Sequence, residues 1–192
     1  IEQLKPQFKD LIERWGFPAK KVPSVSLTLE AWLKNFATPG EVNHAFEVAK
    51  SITYKTESEI SEIVKLLAKN LIKEFRNDFS NVVFFPLGLA SSSSGGNYLY
   101  RYSKDLGWSV SDANFPYSSF KEHSDKTIVF FDDVIGSGNQ AIRFGRAHFG
   151  DCTQKPYYAA VFGLDEGTKN VHESGLFKGV FVGERLSEND CA

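Results

Sequence analysis

The chain has 192 residues and 42% apolar content, enough for one compact domain with a real core and cramped for a second. Its 22 basic and 24 acidic residues leave a net charge of -2, so no broad basic face is expected; direct nucleic-acid binding is not expected, although a local basic pocket is compatible with this balance. Cys152 and Cys191 lack CxxC or metal-ligand spacing and read as reduced thiols of a cytoplasmic protein, no apolar run is long enough to span a membrane, and Ile1 to Lys5 has no signal-peptide character.

In chain order, Ile1, Leu4, Phe8, Leu11, Ile12 and Trp15 recur at helical spacing, and Gly16-Phe17-Pro18 ends that run. A short helix is expected around Leu29 to Phe36 with Thr28 as its N-cap. Thr38-Pro39-Gly40-Glu41 is a capping box with proline at the first helical position, and Thr56-Glu57-Ser58-Glu59 is a second one. The second box opens the longest helix, whose stripe of Ile60, Ile63, Val64, Leu67, Leu71 and Phe75 reads as core contact. Nothing in the first 80 residues carries a chemical motif.

The pattern then changes. Val82 to Phe85, Ile128 to Phe131, Tyr157 to Phe162 and Val180 to Val182 are short continuous apolar runs rich in β-branched and aromatic residues. Such runs suit strands buried on both faces, and the helical or loop segments between them imply a parallel sheet with crossover helices. The expected class is α/β: a helical N-terminal extension over 1–80 packed on an α/β core over 81–192, with flanking helices around a parallel central sheet.

The segment Thr127-Ile128-Val129-Phe130-Phe131-Asp132-Asp133-Val134-Ile135-Gly136-Ser137-Gly138-Asn139-Gln140-Ala141 is the informative one. A buried strand carries adjacent carboxylates to the carboxyl edge of the sheet. Glycines then let the backbone turn and approach a ligand, and a helix from about Asn139 presents unpaired N–H groups to an anion. Carboxylates beside a phosphate cradle make sense when one ligand bears both phosphate and hydroxyls, as a ribose 5-phosphate does. The competing reading of Asp132 and Asp133 is an ordinary pair of turn formers or helix caps. Asp165 and Glu166, after the strand from Tyr157 to Leu164, read better as caps of the helix near Thr168 than as ligand contacts. The run Ser91-Ser92-Ser93-Ser94-Gly95-Gly96 is either a flexible linker or, because it follows a strand end, a second anion loop.

This stretch resembles the phosphoribosyl pyrophosphate signature of type I phosphoribosyltransferases. Asp132 and Asp133 match the acidic pair, Val134 and Ile135 the hydrophobic pair, and Ser137 and Gly138 the loop centre. Gly136 and Gln140 stand where a Thr or Ser and a Thr are common, which removes two hydroxyls from the cradle. The resemblance covers roughly residues 80 to 185 by order of elements. It implies Asp132 and Asp133 as the catalytic pair and Gly136, Ser137, Gly138, Asn139 and Gln140 as the phosphate and ribose contacts. It further implies a pyrophosphate loop of Ser92, Ser93, Ser94, Gly95 and Gly96 helped by Arg101, with Lys104 a weaker candidate on the same helix from Tyr98 to Leu106. Residues 111 to 126, with Lys121 and His123, would form a hood. Mg²⁺ would arrive with phosphoribosyl pyrophosphate rather than on protein ligands. The chain looks most like a divergent phosphoribosyltransferase-like group associated with prokaryotic conflict and defence systems.

The function so implied is binding of phosphoribosyl pyrophosphate or a nucleotide 5-phosphate, with transfer or cleavage at ribose C1. A site rich in Gly, Ser and carboxylate but poor in His, Cys and Lys fits that reaction, which needs no protein nucleophile. Two other readings stay open. Gly136-Ser137-Gly138-Asn139-Gln140-Ala141 also satisfies the dinucleotide fingerprint, with Asp165 at the end of the next strand, which would mean NAD-type binding. Alternatively the chain is a non-catalytic nucleotide sensor or effector subunit that works through a protein partner.

Overall fold

The computed structural model describes residues 1–75, 81–87, 125–149 and 154–187. The serine run with Ser92 to Gly96, the helix expected over 98–106 with Arg101 and Lys104, Lys121, His123, Cys152 and Cys191 lie outside the described residues, as does nearly all of the expected hood. By their internal contacts, Ile1–Ile60 form one compact unit and Ser61–Cys191 another.

The first unit is helical. Helix α1 (Lys5–Arg14), a 3-10 turn (Ala19–Lys21), α2 (Val22–Leu33) and α3 (Pro39–Ser51) lead to the start of α4 (Glu57–Glu74). Its core is built by Phe8, Leu11 and Ile12 of α1, Leu29 and Leu33 of α2, and Val42, Ala45, Phe46 and Ala49 of α3. Each set recurs every three or four residues, so each helix turns one apolar stripe inward. Both capping boxes form. Thr38 Oγ1 accepts from the Glu41 N–H at 3.2 Å while Glu41 Oε2 accepts from the Thr38 N–H at 2.9 Å. Thr56 Oγ1 accepts from the Glu59 N–H at 3.3 Å, and Glu59 Oε2 accepts from the Thr56 N–H at 2.7 Å.

Helix α2 differs from expectation. It starts at Val22, seven residues before Leu29, with proline in its first turn. Thr28 is therefore an interior residue, and its hydroxyl donates to the Ser24 carbonyl one turn back at 3.1 Å instead of capping.

The second unit is α/β. Strands β1 (Val82–Pro86), β2 (Thr127–Ile135), β3 (Tyr157–Leu164) and β4 (Gly179–Leu186) form a parallel sheet in the order β1-β2-β3-β4. Helix α5 (Asn139–Phe149) joins β2 to β3, and α6 (Asp165–Glu173) joins β3 to β4. Consecutive right-handed crossovers in one direction put both helices on the same face. Accordingly Phe85, Ile128, Phe130, Tyr158 and Ala160 of the sheet share a core with Ala141 and Phe149 of α5 and Val171 of α6. Helix α4 buries Val64, Leu67, Ala68 and Leu71. Beyond its end, the Phe75 ring meets Tyr157 edge-on at 5.1 Å, and the Tyr157 hydroxyl donates to Glu74 at 3.1 Å. Among the described residues no helix is long and apolar enough to cross a membrane.

Strand β2 also runs longer than the apolar run from Ile128 to Phe131. It stays paired with β3 as far as Ile135↔Gly163, whereas its pairing with β1 ends at Pro86↔Phe131. The acid pair is thus still inside a strand on one side and past a strand end on the other.

Candidate functional site

The site starts with the alternation of β2. Asp132 follows Ile128 and Phe130 on the face covered by α5 and α6, and it is 6% exposed. Asp133, its neighbour, is half-buried. A carboxyl in the first position must find partners or give up its charge. Asp132 does both in part. Its Oδ1 accepts from the Asp133 N–H at 3.0 Å and its Oδ2 accepts from the buried Tyr158 hydroxyl at 3.0 Å. Burial pushes its carboxyl up from 3.8 to about 7 and the adjacent Asp133 carboxyl adds to this, while the Tyr158 phenol and the Asp133 N–H pull the other way. Tyr158 in turn is held well above the usual phenol range, first by burial and then by the Asp132 charge. Asp133 Oδ1 accepts from the Val134 N–H at 2.9 Å.

Past Ile135 the chain turns through Gly136, Ser137 and Gly138 into α5. The turn needs glycine at 138, where φ is +80°. A side chain there would also strike α6: a Cβ would lie 2.7 Å from the Gly167 carbonyl oxygen and 2.7 Å from Val171 Cγ2. The first intrahelical bond of α5 runs from the Ile142 N–H to the Gly138 carbonyl at 3.0 Å. The N–H groups of Asn139, Gln140 and Ala141 therefore belong to the first turn, where the Asn139 N–H donates to the Ser137 hydroxyl oxygen at 3.4 Å. Ser137, Asn139 and Gln140 are exposed.

The two crossover helices differ electrostatically at their starts. The first turn of α5 carries no acid, so no carboxylate of its own meets its partial positive charge. Asp165 and Glu166 occupy the first turn of α6, and Arg185 of β4 lies 3.5 Å from Asp165. Neither acid caps α6 through its side chain; the N-cap is Leu164, without a side-chain cap bond. The first turn of α5 therefore suits an anion better than that of α6 does.

Asp132, Asp133, Gly136, Ser137, Gly138, Asn139 and Gln140 thus form one continuous edge from strand to helix. The residues that hold this edge in place stand outside its motif. Tyr158 reads as one more aromatic of a core strand, because its partnership with Asp132 depends on a register invisible in the sequence. Gly167 did leave a signal: a glycine in the first turn of a helix costs stability unless something packs closely on it. Asn170 of α6, whose amide donates to the Ser137 carbonyl at 3.4 Å, left none.

A family model described as PRTase-CE matches residues 29–191. Among solved structures, the AQ2163 protein from Aquifex aeolicus is similar at 16% identity and a TM-score of 0.47, covering 79% of this chain and 86% of that one. No curated protein matches.

Proposed function

The chain belongs to the PRTase-CE family and has a phosphoribosyltransferase-like α/β fold, and from that premise we propose that it binds phosphoribosyl pyrophosphate or a nucleotide 5-phosphate along the β2–α5 edge. The observation that carries this reading is the continuity of the acid pair Asp132-Asp133, the Gly136–Gly138 turn and the acid-free first turn of α5. In it the 5-phosphate lies against the N–H groups of the turn and of α5, and the ribose lies at the acid-pair end of the edge. The two halves suit opposite parts of a single ligand.

Bond exchange at ribose C1 breaks the bond to the pyrophosphate oxygen and forms one to an acceptor. The protein's tasks are then to hold, orient and exclude water, which needs no nucleophile. Among the described residues no group of three His, Cys, Asp or Glu converges as a metal site. A divalent cation carried by the ligand's own pyrophosphate would neutralise the leaving group.

The test is thermal melting and calorimetry with phosphoribosyl pyrophosphate and Mg²⁺, with ribose 5-phosphate, and with NAD. A ligand that binds only the folded protein adds about 2.7 kcal/mol at a hundredfold excess over Kd. Stabilisation by the ribose phosphates and not by NAD supports the reading. Stabilisation by NAD alone transfers the site to dinucleotide binding, and a response to neither points to a chain that acts through a protein partner.

A further inference from the structure

We propose that Tyr158 is a positioning residue of this site: its phenol holds Asp132 inside the sheet, so that Asp133 alone of the acid pair presents its carboxylate to the ribose hydroxyls. The inference rests on the ribose-phosphate reading above and divides the acid pair into two roles.

The geometry is one of enclosure. Asp132 has one oxygen on the Asp133 N–H and the other on the Tyr158 hydroxyl, each at 3.0 Å, and is almost wholly buried. Each oxygen could accept a further bond, but at 6% exposure a ligand hydroxyl would have to enter the core to give it. Tyr158 itself cannot easily move away. It is 1% exposed, stacks on Phe177 at 5.1 Å between ring centroids, and lies in register with Phe130. The strand-pair partner of Asp132 is Ala160, whose small side chain leaves room for the phenol of Tyr158 to reach forward. Among the described residues, the groups that act on Asp132 are Tyr158 from β3 and Asp133 from its own strand, while α5 and α6 bring Ala141, Phe149 and Val171 to this face. Asp133, by contrast, is half-exposed at the point where β1 has ended, with an oxygen on the Val134 N–H. Its carboxylate direction is set by the backbone that Asp132 grips through the Asp133 N–H. Removing the phenol would loosen Asp132 and, through that N–H, the aim of Asp133.

The experiment compares ribose 5-phosphate with inorganic phosphate by calorimetry on the full chain, for wild type, Tyr158→Phe, Asp132→Asn, Asp133→Asn and the double variant Tyr158→Phe/Asp132→Asn. Tyr158→Phe should weaken ribose 5-phosphate about tenfold, the scale of a lost hydrogen bond to a charged group. It should leave inorganic phosphate within about twofold, because the turn and α5 are untouched. The double variant should be no weaker than Tyr158→Phe alone, since the phenol acts on the site only through its contact with the side chain at 132. An independent readout needs no ligand: the carbon-13 carboxyl signal of Asp132 should titrate at higher pH in Tyr158→Phe, because the phenol favours the charged form. Equal weakening of both ligands, unchanged ribose 5-phosphate binding, or an unmoved Asp132 titration overturns the inference. If Tyr158→Phe melts below the assay temperature, Asp132→Asn decides: it must cost less ribose affinity than Asp133→Asn. A wild type that binds ribose 5-phosphate no better than phosphate would instead sink the ribose-phosphate reading itself, and this inference with it.

Discussion

Gly167 of α6 sits so close to the Gly136 carbonyl that a Cβ at position 167 would lie 1.7 Å from that oxygen. The helix after β3 is therefore the bed on which the turn after β2 rests. The same contact runs the other way at Gly138, whose Cβ would meet Gly167 and Val171. The shape of the anion turn is set by α6 as much as by its own glycines.

Gly167→Ala should accordingly destabilise the protein by about 1–3 kcal/mol, since the clash is with backbone and cannot be relieved by a rotamer change. Gly136→Ala should lie within about 0.5 kcal/mol of wild type, because a Cβ at 136 would meet nothing within 4 Å. Urea unfolding of the pair measures both. Equal losses would mean that α6 does not support the turn.

Asp133→Asn should weaken ribose-phosphate binding without unfolding the protein. It keeps the shape of a half-buried side chain and exchanges a charged acceptor for an amide. Ser137→Ala should weaken binding less, because backbone N–H groups supply most of the grip on a phosphate. The Ser137 hydroxyl makes only a long contact of 3.4 Å to the Asn139 nitrogen. Calorimetry that ranks Ser137→Ala below Asp133→Asn in affinity would reverse these roles.

In the helical unit, Thr38→Ala removes the acceptor of the Glu41 N–H at the start of α3 and leaves Glu41 with one half of the capping box. The expected cost is about 1 kcal/mol. Thr28→Ala should cost less, because that hydroxyl only bonds back to the preceding turn. Circular dichroism melts of the two variants check the order.

The parallel sheet and the strand–turn–helix of the site were legible because their signals are local. Apolar runs, Gly136-x-Gly138 and the capping boxes at Thr38 and Thr56 state their structure within a few residues. The start of α2 was not, since Thr28 has the side chain of a cap and only the helix beginning at Val22 turns it into an interior residue. The full length of β2 was not legible either. Asp132 and Asp133 look like a strand end, and it is pairing with β3 that carries the strand on to Ile135. Tyr158 and Gly167 reach the site from elements downstream in the chain, through register and helix packing that no local pattern encodes.

The Asp132 carboxyl titrates near 3.8 when unfolded and at about 7 when folded. Below about pH 4 both states hold the proton, and the contribution of this group to stability is fully present. Between about pH 4 and 7 the unfolded state releases the proton while the folded state keeps it, so stability falls as pH rises. Above about 7 both states are charged and the loss is complete, on the order of 4 kcal/mol at most. Asp132→Asn removes the charge and keeps both partners: the amide oxygen can accept from the Asp133 N–H and the amide nitrogen can donate to the Tyr158 oxygen. The variant should match wild type near pH 4 and become progressively more stable than it up to about pH 7, with a constant gap above. Denaturant unfolding of both proteins across that range measures the gap directly. The difference cancels the other titrating groups, which are common to both chains. A gap that is flat with pH would place an ordinary, charged carboxylate at Asp132, and a gap of opposite sign would mean that the Tyr158 and Asp133 contacts outweigh burial.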